Sequence, residues 1–228
     1  SSGDTGPDIY SHNMYIASGN SDCVVRDNIS ARASSHGLQL RPGGIIDGNV
    51  FVGDSIAMFN SDGDGDGSDN VTVDNVVVHG SRKYLDAPSY GSPGPRGWGI
   101  SCTDQAGSEA IRNIVAHGET GCRSAFRGLS GVYTEDTVVY DWGTTSDPGP
   151  FPDPDRTVMS YDALQGGAGT LDSFYAAIRE QRRGNWNLAY TAPEIVEYFQ
   201  EGFGILELPP AIAGDANRDG VVSDADYT

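Results

Sequence analysis

The stretch Asn49-Val50-Phe51-Val52-Gly53-Asp54-Ser55-Ile56-Ala57-Met58 decides the fold, because it joins two signals that recur along the chain: an Asn followed by a β-branched residue, and a short strand of alternating pattern. The first signal returns as Asn28-Ile29, Asn75-Val76 and Asn113-Ile114, with Thr137-Val138 as a fifth copy. The separations are 21 residues (28 to 49), 26 (49 to 75), 38 (75 to 113) and 24 (113 to 137). Repeats of roughly twenty-odd residues whose loops accept insertions are the mark of a solenoid, in which each repeat buries its apolar face against its neighbours. Asn at a recurring turn can adopt the left-handed conformation and hydrogen-bond its equivalents above and below.

The second signal aligns four segments: His12-Asn13-Met14-Tyr15-Ile16, His36-Gly37-Leu38-Gln39-Leu40, Asp54-Ser55-Ile56-Ala57-Met58 and Arg96-Gly97-Trp98-Gly99-Ile100. Period-two alternation points Met14/Ile16, Leu38/Leu40, Ile56/Met58 and Trp98/Ile100 inward, with Phe126 joining them, and turns Tyr15, Gln39, Ala57 and Gly99 outward. The 31 glycines, with Asn and Asp between short Val/Ile runs, agree with many tight turns and short strands. Together these patterns resemble the pectate-lyase-like superfamily of right-handed parallel β-helices over roughly residues 9 to 145. The resemblance implies an all-β solenoid. It does not name a reaction, since that superfamily holds lyases, hydrolases, epimerases and non-catalytic surface proteins.

The expected organisation is a parallel β-helix over 1–158, cut from a longer protein at its N-terminus, then short helices over 159–205 packing on it, a linker over 206–214 and a calcium loop over 215–228. Thr170 is placed to cap a helix carrying Leu171, Phe174, Tyr175 and Ile178 on one face, and Thr191-Ala192-Pro193-Glu194 reads as a capping box with Pro in the first turn. The stretch from Gly169 to Phe203 also resembles tails that follow β-helices in secreted bacterial proteins, so the expected location is secreted or cell-surface in a bacterium. No apolar run is long enough to span a bilayer. The three cysteines, Cys23, Cys102 and Cys122, are too few for a disulfide framework and leave their redox state open.

A formal net charge of -18 repels a phosphate backbone and argues against nucleic acid. Part of that charge lies in Asp215-Ala216-Asn217-Arg218-Asp219-Gly220-Val221-Val222-Ser223-Asp224-Ala225-Asp226, where oxygen donors stand at Asp215, Asn217, Asp219, Ser223 and Asp226. Val221 offers its carbonyl and Gly220 the sharp turn, which together make a Ca²⁺ loop. The motif resembles a type I dockerin repeat, whose last ligand is likewise Asp. The resemblance implies a cohesin-like partner for a dockerin completed beyond this segment. The run Asp62 to Asp69 begins similarly but has Val73 where the last acid should be, and an acidic solenoid loop explains it equally well.

Aligned by rung, His12, His36, Asp54 and Arg96 form one column, with Arg41 just past the second strand. A β-elimination lyase acting on an extracellular acidic polysaccharide needs a base for the proton α to a uronate carboxylate and a cation to stabilise the charge that develops. His36, oriented by Asp54, is the expected base. Arg41 or Arg96 is the expected neutraliser, and Tyr15 or His12 the acid. Such residues at strand ends also satisfy turn backbones, and Arg41 beside Pro42 can simply cover the flank. Lys83 is a further candidate base in an inserted loop. Asp27, Asp47, Asp54 and Asp74 supply carboxylates for the alternative of a glycoside hydrolase. A non-catalytic carbohydrate-binding solenoid would instead use Tyr15, Tyr84, Tyr90 and Trp98.

Overall fold

The buried Asn49 side chain shows how one rung is tied to the next. Its Nδ2 donates to the carbonyls of Val25 and Asp47 and to Oδ1 of Asn75, while its own Oδ1 accepts from the main-chain and side-chain nitrogens of Asn28. Asn75 bonds Asn113 in the same way, and the ladder ends at Thr137, whose Oγ1 accepts from the Asn113 N–H and donates to Ala110 O. The repeated Asn residues therefore do stand at equivalent corners. The left-handed residue at each corner is the one before it: Asp27, Gly48, Asp74, Arg112 and Asp136 have φ of 57°, 62°, 55°, 50° and 46°. This corrects the expectation that Asn itself turns the chain. The preceding residue makes the turn, and the Asn beneath it satisfies carbonyls that the turn buries.

The structure, a computed structural model, describes residues 11–60, 69–81, 97–102, 107–128, 131–143 and 156–205. Its strands form three parallel five-stranded sheets, an order consistent with a β-solenoid. The first sheet holds β1 (Met14–Ile16), β4 (His36–Leu40), β7 (Ile56–Phe59), β10 (Trp98–Ser101) and β13 (Phe126–Arg127). The second holds β2 (Val24–Arg26), β5 (Gly44–Asp47), β8 (Asn70–Val73), β11 (Glu109–Ile111) and β14 (Tyr133–Glu135). The third holds β3 (Ile29–Ala31), β6 (Val50–Val52), β9 (Val76–Val78), β12 (Ile114–Ala116) and β15 (Val138–Tyr140).

The third sheet is buried on both faces through β6, β9 and β12, which is why these strands read as continuous apolar runs. Phe51, Val77, Val115 and Val139 enter the core shared by the sheets with Leu38, Leu40, Met58 and Ile100. Val50, Val52, Val76, Val78, Ile114 and Val138 face the other way, against Val158, Phe174, Ile195 and Phe199 of the helical segment. That segment comprises α1 (Val158–Leu164), α2 (Leu171–Arg179), a single tight turn at Leu188–Tyr190 and α3 (Ala192–Phe203). The helices thus dock on the outer face of the third sheet.

Thr170 caps α2 through its Oγ1 and the Ser173 N–H, as its sequence indicates. Thr191 precedes α3, but its hydroxyl donates back to Leu188 O and the expected capping box does not form. A capping box does form at α1, between Thr157 and Ser160, at the start of the stretch expected to be helical.

The first sheet corrects the strand alignment. Met14 pairs with Leu38 as expected, but Leu38 pairs with Met58, which pairs with Ile100, which pairs with Phe126. The third and fourth strands are therefore shifted by two residues. Ile56 and Trp98, expected inward beside Leu38, pair instead in the row of His36. The residues after them, Ala57 and Gly99, were expected outward and lie inside. Ala57 belongs to the interior cluster, and a side chain on Gly99 would run into Val115. Two successive inward positions break strict alternation at the start of these strands, and a period-two reading cannot register that.

Candidate functional site

The register brings four of the expected residues together on the outer face of the first sheet. The rings of His12 and His36 meet edge to face with centroids 4.6 Å apart, and His12 also lies 5.4 Å from Tyr15. The Arg41 guanidinium sits over the Tyr15 ring at 5.7 Å. Ser35 Oγ lies 2.8 Å from His36 Nδ1 and fixes the ring, while Phe59 packs against it at 5.4 Å. Tyr15 is 50% exposed and His36 is 8% exposed, so the base candidate is shielded and the phenol open. A cleft of about 720 Å³ begins at His12 and runs between Ile29 and Arg32 on one side and Tyr175, Trp186 and Tyr190 on the other.

Asp54 does not join this group. With the strands shifted by two, Ile56 rather than Asp54 pairs with His36. The Asp54 carboxylate is buried and accepts from the Ser30 hydroxyl at 2.8 Å and from the Ala33 N–H. Burial pushes its carboxyl up to about 7 against the pull of those two donors. The group that holds the His36 ring is Ser35. Arg96 lies outside the described residues, as do Lys83, Tyr84 and Tyr90. The same holds for the whole calcium loop, Asp215, Asn217, Asp219, Val221, Ser223 and Asp226 included, and for the run from 62 to 68.

Of the other carboxylates named by the sequence, Asp27 is exposed and lines the cleft that begins at His12, while Asp47 and Asp74 serve the framework. Asp47 pairs with Arg26 at 2.7 Å. Asp74 accepts two bonds from Arg112, each 2.8 Å, and a third from Gln200 of α3. Cys23, Cys102 and Cys122 are all free thiols, the last two buried. Among the described residues, no three His, Cys, Asp or Glu side chains gather as a metal site, and no helix is long and apolar enough to cross a membrane.

Two features escaped the sequence reading. On the outer face of the first sheet, Arg127 lies over the Trp98 ring at 4.3 Å. The break in alternation that turns Trp98 outward also brings it under the exposed Arg127 of the next rung. The second is a cleft of about 790 Å³ between the corner that leaves the third sheet and the helical segment, lined by Arg32, Ser34, His79, Glu119, Asp141 and Tyr175 among others. His79 and His117 stack there, centroids 5.8 Å apart and planes 20° from parallel. Both belong to the repeat Val-Val-Val-His79 and Ile-Val-Ala-His117, which was available in the sequence as a signal.

Comparison with protein-family models, with curated proteins and with solved structures gives no match.

Proposed function

We propose that the chain is part of a secreted bacterial right-handed parallel β-helix protein that cleaves an extracellular acidic polysaccharide by β-elimination. The observation that carries this reading is the meeting of His12, His36, Tyr15 and Arg41 on one face of one sheet. In this reading His36, held by Ser35, takes the proton α to the uronate carboxylate. Arg41 neutralises the carboxylate as negative charge moves onto it. The electron pair then forms the carbon–carbon double bond, the β carbon–oxygen bond breaks, and His12 or Tyr15 protonates the leaving oxygen. Trp98 and Arg127 offer a stacking surface and a cation further along the same face.

A hydrolase needs two carboxylates facing one sugar. Asp47 and Asp74 are engaged in ion pairs and Asp54 is buried, which leaves Asp27, exposed in the cleft that begins at His12, without a second carboxylate from that set, so elimination is the better supported reaction.

The donor set of Asp215, Asn217, Asp219, the Val221 carbonyl, Ser223 and Asp226 suits Ca²⁺, and its spacing supports a dockerin-like repeat that would meet a cohesin-like partner once completed.

The test is to incubate the protein with a panel of uronate polymers and follow both ultraviolet absorbance and reducing ends. Absorbance together with reducing ends supports elimination. Reducing ends alone would replace it with hydrolysis, and binding without either signal would make the solenoid an adhesive one.

A further inference from the structure

We propose that the cleft between the solenoid corner and the helical segment is a second binding site, one that takes a neutral, hydroxyl-rich ligand such as a mono- or oligosaccharide. This goes beyond the first-sheet reading and does not depend on it.

The corner that leaves the third sheet is built from a second column of left-handed residues: Arg32, Gly53, His79, His117 and Asp141, with φ of 57°, 71°, 52°, 56° and 47°. Only one of the five is glycine, although glycine is the residue that turns this way at no steric cost. At the other corner the polar side chains have visible structural duties, as in the Asp74–Arg112 pair. Here they line a cavity. His117 Nε2 is 2.9 Å from Arg156 O and has a framework role. His79 Nε2 is different: it is buried and, among the described residues, has no hydrogen-bond partner. A buried polar atom without a partner costs about 1–3 kcal/mol, and the residue that carries it lines the cleft, where a turn of the ring would bring Nε2 to a ligand.

The lining chooses among ligands. Burial, with His117 alongside, pushes His79 down to about 4, so its imidazole is neutral at pH 7 and can either donate to or accept from a hydroxyl. Glu119 and Asp141 accept from hydroxyls, and Arg32 and Ser34 donate to them. Two carboxylates against one guanidinium disfavour a uronate or a phosphate. Arg32 rests on the Tyr175 ring at 5.4 Å, which holds the cation at the cleft wall. Ligand sites commonly enclose about 300–1,000 Å³, and the cleft's volume of about 790 Å³ lies within that range.

The test uses ligand-observed NMR on the intact protein with glucose, galactose, mannose, xylose and cellobiose as probes, and galacturonate as the charged control. At least one neutral probe is expected to bind saturably, more tightly than galacturonate, and to keep its affinity in His36→Ala. His79→Phe should weaken that binding about tenfold and Asp141→Asn about fivefold, the ratio expected for losing one hydrogen bond. Asp141 is exposed, so its variant separates loss of binding from loss of folding. Three results would overturn the proposal: saturable binding by none of the neutral probes, which leaves an ordered water as the partner of His79; binding unchanged in both cleft variants; or binding lost only in His36→Ala.

Discussion

Each repeat of the three parallel sheets turns through two left-handed corners, and the two carry different burdens. At the corner before the third sheet, Asp27, Gly48, Asp74, Arg112 and Asp136 turn the chain directly above a ladder of Asn side chains. At the corner after it, Arg32, Gly53, His79, His117 and Asp141 turn the chain beside an open cleft. The backbone demand is the same at both. What differs is where the side chains find partners: at the first corner Asp74 and Arg112 find each other, and at the second the buried Nε2 of His79 has no partner among the described residues while its residue lines the cleft. Repetition of a backbone conformation therefore reports the fold, while the unsatisfied member of the repeat points to a site.

The sharpest way to break the first corner is Asn75→Ala. Asn75 bonds rungs on both sides, and its loss strands the carbonyls of Ile46 and Val73 in the interior. The expected destabilisation is about 3–4 kcal/mol in a urea melt, from several buried bonds at about 1 kcal/mol each plus unsatisfied groups. A change below about 1 kcal/mol would mean that the ladder is ornamental.

A smaller loss, about 2 kcal/mol, is expected for Asp74→Ala, which leaves the Arg112 guanidinium without its bidentate partner and removes the Gln200 bond between the solenoid and α3. Because Gln200 belongs to the helical segment, the same variant should raise hydrogen exchange in α3 more than in the first sheet. Equal effects in both would contradict a role in docking.

The second corner is addressed through pH. His79 has its folded value near 4, below the ordinary 6.5, because burial disfavours the charged ring and His117 adds to this. Between these values the unfolded chain takes up a proton that the folded protein refuses, so this contribution is complete above 6.5 and is lost as pH falls toward 4. Asp54 works in the opposite sense: its folded value near 7, against 3.8, adds stability below 3.8 that is lost as pH rises through 7. The two trends partly cancel in the native protein. His79→Phe should therefore be more stable relative to wild type at pH 4.5 than at pH 7.5, and Asp54→Asn should gain relative stability in the reverse direction. Thermal melts at the two pH values check both, and parallel shifts at both would sink the assignment.

The sequence made the stacked parallel repeats legible because Asn–β-branched pairs and Val/Ile runs follow from demands that the rungs repeat: a buried turn must satisfy its carbonyls, and strands buried on both faces are predominantly apolar. Thr137 was readable as the degenerate copy because its hydroxyl offers both an acceptor and a donor. The register of the first sheet was less legible. Leu38 and Met58 share a row, but Ile56 and Met58 are both apolar two positions apart, and hydrophobic pattern alone cannot choose between them. That ambiguity wrongly put Asp54 beside His36 and hid the pairing of Trp98 with Arg127. The His12, His36, Tyr15 and Arg41 grouping survived because it lies in the first two strands, where the alignment was right. The cleft at His79 was not readable, since it exists only once the helical segment has folded back onto the third sheet.

The most direct test of the central claim, that the outer face of the first sheet performs β-elimination, is the rate of unsaturated-product formation from a cleaved uronate polymer by wild type, His36→Ala and Arg41→Ala. Base and charge neutraliser act in the same transition state, so each variant should lose at least about 100-fold in turnover while keeping the wild-type melting profile. Full activity in both variants would contradict the account and move the chemistry off this face.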